Sequence, residues 1–124
     1  MRGSPLRTAD FATATESWQD ICPASTLIDN VGVCALVNAR QVAIFRLSLS
    51  QDLFAIDNYD PFSNASVLSR GVVGDLKGQP VVASPIYKHH FNLQTGYCLE
   101  DSTVKVATYP VRIANGVLQV MVDD

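Results

Sequence analysis

Two histidines, three cysteines and a serine followed by proline are the side chains that first suggest chemistry in this sequence. His89 and His90 stand side by side in Ala-Ser-Pro-Ile-Tyr-Lys-His-His-Phe-Asn-Leu-Gln-Thr-Gly, residues 83–96. Paired histidines raise the question of a metal ion. Adjacent residues on an extended strand point to opposite faces, however, so the two do not chelate one ion together. Cys22, Cys34 and Cys98 are odd in number, widely spaced and without a C-x-x-C, which argues for reduced thiols and against a disulfide framework. Cys34, inside Val-Gly-Val-Cys-Ala-Leu-Val, reads as a small core residue. A nucleophilic Ser84 needs a base and an oxyanion site, and neither a G-x-S-x-G pattern nor a His/Asp partner accompanies it.

The elements that position these residues are β-strands. The chain is 124 residues long, 48% hydrophobic and 17% charged, enough for one hydrophobic core and too apolar for disorder. Short runs rich in Val, Ile and Phe are separated by Gly, Asn, Asp and Pro, with almost no helical periodicity, so the fold is all-β. Strands are predicted near Trp18–Cys22, Gly32–Val37, Gln41–Leu47, Leu53–Asp57, Val81–Ser84, Phe91–Leu93, Thr103–Tyr109, Val111–Ala114 and Val117–Val122. Asn115-Gly116 supplies the positive φ values of a two-residue hairpin turn, and Asn38-Ala39-Arg40 reads as another hairpin loop. The run Val42-Ala43-Ile44-Phe45 is apolar on both faces and predicts a central strand covered from both sides. In Val-Lys-Val-Ala-Thr-Tyr, Val104 and Val106 alternate with Lys105 and Ala107, so one face is buried.

Charge and hydropathy exclude several partners. A net charge of −3 and a pI near 5.1 leave no broad basic face for nucleic acid. Lys and Arg form no polybasic segment for a membrane surface, and no apolar run approaches the ~20 residues of a bilayer crossing. Residues 1–17 begin Met-Arg-Gly-Ser, lack the apolar centre of a signal peptide, and read as tag-derived or disordered. A single domain over 18–122 and a cytoplasmic location are the resulting expectations.

Two loops carry a family pattern. After Ile56-Asp57-Asn58 comes Asp60-Pro61-Phe62; later come Ser84-Pro85-Ile86-Tyr87-Lys88, Phe91-Asn92-Leu93 and Thr95-Gly96. This frame resembles a Rieske-type iron–sulfur domain, whose loops have the form Cys-Pro-His and Cys-Pro-x-His-Gly. By that resemblance Asp60 and Ser84 stand where thiolates would be, and Phe62 and Tyr87 where imidazoles would be. A Rieske cluster takes two thiolates on one iron and two imidazoles on the other, so all four ligand positions are vestigial. The fold implied is a Rieske-like antiparallel β-barrel or sandwich without an iron–sulfur cluster, its loop-rich subdomain spanning about 58–93.

From Trp18 onward the resemblance narrows to the small subunit of cytoplasmic NAD(P)H-dependent nitrite reductase, a cluster-free member of that superfamily. Trp18-Gln19-Asp20-Ile21-Cys22, Gln41-Val42-Ala43-Ile44-Phe45-Arg46, Val67-Leu68-Ser69-Arg70-Gly71 and Val82-Ala83-Ser84-Pro85 with Lys88 carry it. The family implies a non-catalytic accessory role in nitrate assimilation, beside a large subunit that holds flavin (FAD), siroheme and an iron–sulfur cluster and reduces nitrite to ammonium. It implies no catalytic, cofactor or metal residues in this chain.

Individual residues keep more than one reading. Asp60 before Pro61 is a turn initiator or a surface carboxylate, with the turn favoured. Phe62 and Tyr87 are expected to fill the cluster's space as stacked aromatics. Lys88, His89 and His90 form either a docking surface for the large subunit or a solvated loop. Arg70 pairs with a partner carboxylate or, preferably, with Asp57, Asp60 or Asp75. Two other functions stay open: a ferredoxin-like electron carrier with an unusual cluster, and an independent small-ligand or metal-binding barrel using His89 or His90.

Overall fold

The computed structural model describes residues 17–122, so the segment read as tag-derived or disordered lies outside the described residues except for Ser17. Trp18–Pro23 (β1) pairs with Val117–Met121 (β12), which also pairs with Val111–Ala114 (β11), giving a sheet of order β1-β12-β11. A second antiparallel sheet runs Thr108–Tyr109 (β10), Leu53–Asp57 (β4), Arg40–Arg46 (β3) and Val33–Val37 (β2). The loop-rich region adds a two-stranded ribbon, Tyr59–Asp60 (β5) with Ala65–Ser66 (β6). It also holds a sheet of Val72–Leu76 (β7), Gln79–Ala83 (β8) and His90–Asn92 (β9). The only helical elements among the described residues are the 3-10 turns Ala24–Thr26 and Leu68–Arg70. The architecture is therefore all-β, with sheets that pack as open layers and, among the described residues, do not close into one ring.

The middle of β3 explains the layering. Side chains alternate along Val42-Ala43-Ile44-Phe45, and both sets are apolar and fully buried. Val42 and Ile44 join Leu27, Val37, Ala55, Leu118 and Val120 in a core against the first sheet. Ala43 and Phe45 join Ile56, Leu68, Val82, Phe91 and Leu93 in a core against the loop-rich region. The central strand covered from both sides is as the sequence predicts. So are the hairpins: Asn38 and Ala39 have φ of 49° and 65°, and Asn115 and Gly116 have 53° and 77°.

Three details differ from the sequence reading. The predicted strand Thr103–Tyr109 is reduced to Thr108–Tyr109 in the sheet, because the stretch before it pairs locally, through Cys98 N–H to Val104 O and a Tyr97–Lys105 bridge. Val106 is nonetheless buried and Lys105 exposed, as the alternation requires. β5, β6 and β7, none of them predicted, form as well, the last as an edge strand against β8. Cys34 is not a core residue: it is exposed, 3.7 Å from Gln41 Oε1 on edge strand β2.

Gly32 fixes the Val67–Gly71 segment to the second sheet. A Cβ there would lie 2.2 Å from the Ser69 carbonyl oxygen, so no other residue lets the two backbones approach this closely.

Candidate functional site

Loop one (residues 60–64) leaves the second sheet just after β4, and loop two (residues 84–89) joins β8 to β9. Asp60 and Ser84 lie one on each loop, and both have no exposed surface. They are bonded to each other: Ser84 Oγ donates to Asp60 Oδ2 at 2.5 Å. The Asp60 carboxylate also accepts from the Phe62 amide at 2.9 Å and from Ser63 Oγ at 2.9 Å. Asp60 thus initiates the turn of its own loop, as its place before Pro61 predicts, and clasps the second loop with the same group. Burial works against the ionised carboxylate, but the bonds from Ser84, Phe62 and Ser63 outweigh it and hold Asp60 below the usual carboxyl range.

A second contact joins the loops. The Phe62 ring stacks on His89 with centroids 3.7 Å apart and planes 5° from parallel, and it meets Phe91 at 6.1 Å. This corrects the expected Phe62–Tyr87 pair. Tyr87 is 62% exposed, turned out of the loop, and its place against Phe62 is taken by the imidazole. His89 Nδ1 is buried without a hydrogen-bond partner among the described residues, so its ring is used as a flat apolar surface.

Loop two is closed by its own backbone. Ser84 N–H donates to His89 O at 2.9 Å and Lys88 N–H to Ser84 O at 3.1 Å. Lys88 adopts φ 67°, and its ammonium reaches back to Pro85 O at 3.1 Å. His90 faces away from His89: its Nδ1 lies 2.7 Å from Glu100 Oε2, and its amide donates to Glu100 Oε1 at 2.7 Å. Burial opposes the charge on Glu100, and these bonds outweigh it, so the carboxyl is lowered. Glu100 was not singled out by the sequence. It reaches His90 because the chain turns at Gln94–Gly96 and returns antiparallel, with Phe91 bridged to Cys98.

Arg70 does not pair with Asp57, Asp60 or Asp75, and no carboxylate among the described residues forms an ion pair with it. Asp60 is enclosed by loop two, Asp57 caps the Tyr59 amide and Asp75 caps that of Gly78. No group of three or more His, Cys, Asp or Glu side chains among the described residues is placed to hold a metal ion.

Comparison with known proteins identifies relatives of this chain and of its fold. The model of the Rieske-like [2Fe-2S] domain family covers residues 17–121. The nitrite reductase (NADH) small subunit of Salmonella typhimurium is 47% identical over 102 residues, covering 82% of this chain and 94% of that one. This chain belongs to the nitrite reductase small-subunit family of Rieske-like domains. The solved structure of another member, NirD of E. coli, superposes with a TM-score of 0.79 at 44% identity, over 86% of this chain and 97% of that one. A stretch of the Klebsiella oxytoca nitrite reductase [NAD(P)H] large subunit is 37% identical over 122 residues, 94% of this chain and 12% of that polypeptide.

The family's broader name implies an iron–sulfur cluster, and the donor set here does not fit one. The two positions that the loop resemblance matches to thiolates hold a carboxylate and a hydroxyl that satisfy each other. Of the two that it matches to imidazoles, one holds a phenyl ring, which has no lone pair to give, and the other a phenol exposed to solvent.

Proposed function

We propose that this chain is the non-catalytic small subunit of a cytoplasmic NAD(P)H-dependent nitrite reductase, serving nitrate assimilation in association with a large subunit. In this reading the large subunit supplies the FAD, siroheme and iron–sulfur cluster that turn nitrite into ammonium, and this chain carries no cluster of its own. The observation that carries the non-catalytic part is the Asp60–Ser84 bond, which uses both side chains at the cluster's thiolate positions to join the loops. Membership of the small-subunit family supports the rest. So does the Klebsiella oxytoca large subunit, which contains a stretch similar to nearly all of this chain within its own polypeptide.

Co-expression with the cognate large subunit tests the role. The expected result is co-purification, with NAD(P)H-dependent nitrite reduction or the stability of the large subunit falling when this chain is omitted. A large subunit equally stable and active without it overturns the accessory role. Iron content and colour of the anaerobically purified chain test the other half: a brown, iron-bearing protein restores the ferredoxin-like reading.

A further inference from the structure

We propose that the outer surface of loop two is the face that docks on the large subunit, with Ile86 and Tyr87 entering an apolar pocket and Lys88 and Arg70 meeting carboxylates at its rim. The inference deepens the subunit reading and rests on it. It also reassigns the contact residues expected from the sequence. His89 is committed to the stack on Phe62 and His90 to Glu100, so neither is the principal contact.

The residues left facing outward are of another kind. Ile86 is 44% and Tyr87 62% exposed, on a loop that spends its own hydrogen bonds holding shape. Val72, 73% exposed, pairs with Ala83 at the foot of the same loop and extends the apolar surface. Gly71 brings its segment against that foot, since a Cβ on it would lie 2.4 Å from the Ala83 carbonyl oxygen. Arg70, one residue earlier, and Lys88 are exposed cations without a carboxylate partner among the described residues. They stand out in a chain of net charge −3. An apolar and aromatic centre with unpaired cations at its edge calls for an apolar pocket with an acidic rim.

Rigidity favours this surface. Loop two is tied to loop one by the Ser84–Asp60 bond and the Phe62–His89 stack, so its outward side chains are presented without the ordering cost of a free loop. An exposed tyrosine on a preformed support is the type of residue that dominates interface energetics.

The rival surface lies at the other end of the strands. There the hairpin between β3 and β4 carries the fully exposed Leu49, beside a cleft of about 450 Å³ lined by Leu47, Phe54, Val73 and Pro80. Its rim carries Asp52 and Asp75, which suit a basic partner and not an acidic one.

The test measures binding of full-length chains to the cofactor-loaded cognate large subunit, with thermal melts to show that each variant is folded. Tyr87→Ala and Ile86→Ser are expected to weaken binding by about tenfold or more each. Lys88→Glu is expected to weaken it severalfold, by a factor that shrinks as salt rises. Leu49→Ser, at the rival surface, is expected to change it less than about twofold. Wild-type affinity in Tyr87→Ala and Ile86→Ser, or an equal or greater loss in Leu49→Ser, overturns the assignment and leaves the subunit role standing. Failure of the wild-type chain to bind the large subunit overturns both.

Discussion

Val42, Ile44 and Phe45 are fully buried in apolar cores, whereas Asp60 and Ser84, equally buried, meet each other through a single hydrogen bond. The first region is held by area: many weak, undirected contacts on both faces of β3, none of which titrates. The second is held by a few directed contacts between loops, a clasp and a ring stack. The difference teaches where each region is vulnerable. A core loses stability in proportion to the volume removed, while a clasp fails on the loss of one atom or one charge.

Changes at three positions break or sharpen that contrast. The largest effect belongs to the core: Phe45→Ala should cost about 3–5 kcal/mol in denaturant unfolding, since it empties a ring-sized space between the second sheet and the loop-rich region. A cost under about 1 kcal/mol would mean that the β3 core collapses freely and is not the rigid partner in the comparison.

Asp60→Ala comes next. It leaves Ser84 Oγ, Ser63 Oγ and the Phe62 amide without their acceptor, and should cost about 1–3 kcal/mol. The same residue gives the region its pH dependence. Asp60 titrates lower folded than unfolded, so its contribution is complete above the unfolded carboxyl value of about 3.9. It is lost as pH falls through the lowered folded value. Acid unfolding followed by fluorescence should therefore show a shallower low-pH limb in Asp60→Asn than in the wild type, and superimposable limbs would remove the clasp from the pH account.

The smallest effect is at the edge. His90→Ala removes a half-exposed side-chain contact with Glu100 and should change stability by under about 1 kcal/mol, because solvent competes for the contact and the backbone amide at position 90 keeps its bond to Glu100. A larger loss would place His90 among the supports of loop two.

The same division decides what could be read from the sequence. The four contiguous apolar residues of β3 and the Asn-Gly turn are local signals, and both appear as predicted. The frame of the two loops was legible too, down to the turn begun by Asp60. β7 was not, because Val-Val-Gly-Asp-Leu is an exposed edge without apolar alternation, and only its pairing with β8 makes it a strand. Nor was the choice of Phe62's stacking partner. Tyr87 and His89 are two residues apart, and closure of loop two by Ser84 and His89 decides which ring faces inward. Cys34 was misplaced because a run of small apolar residues on an edge strand looks like a buried one. Whether Arg70 meets an acid depends on where Asp57 and Asp75 spend their oxygens, which no spacing encodes.

The Asp60–Ser84 bond has a consequence for how the protein is made. Both halves of the clasp are translated with the chain, so the tip closes when the β-layers close. In the cluster-free reading proposed above, nothing has to be delivered to it afterwards. On that reading its assembly is a step of folding and not of maturation, and its integrity follows the pH and temperature of the cell, not its supply of iron, sulfide or reductant.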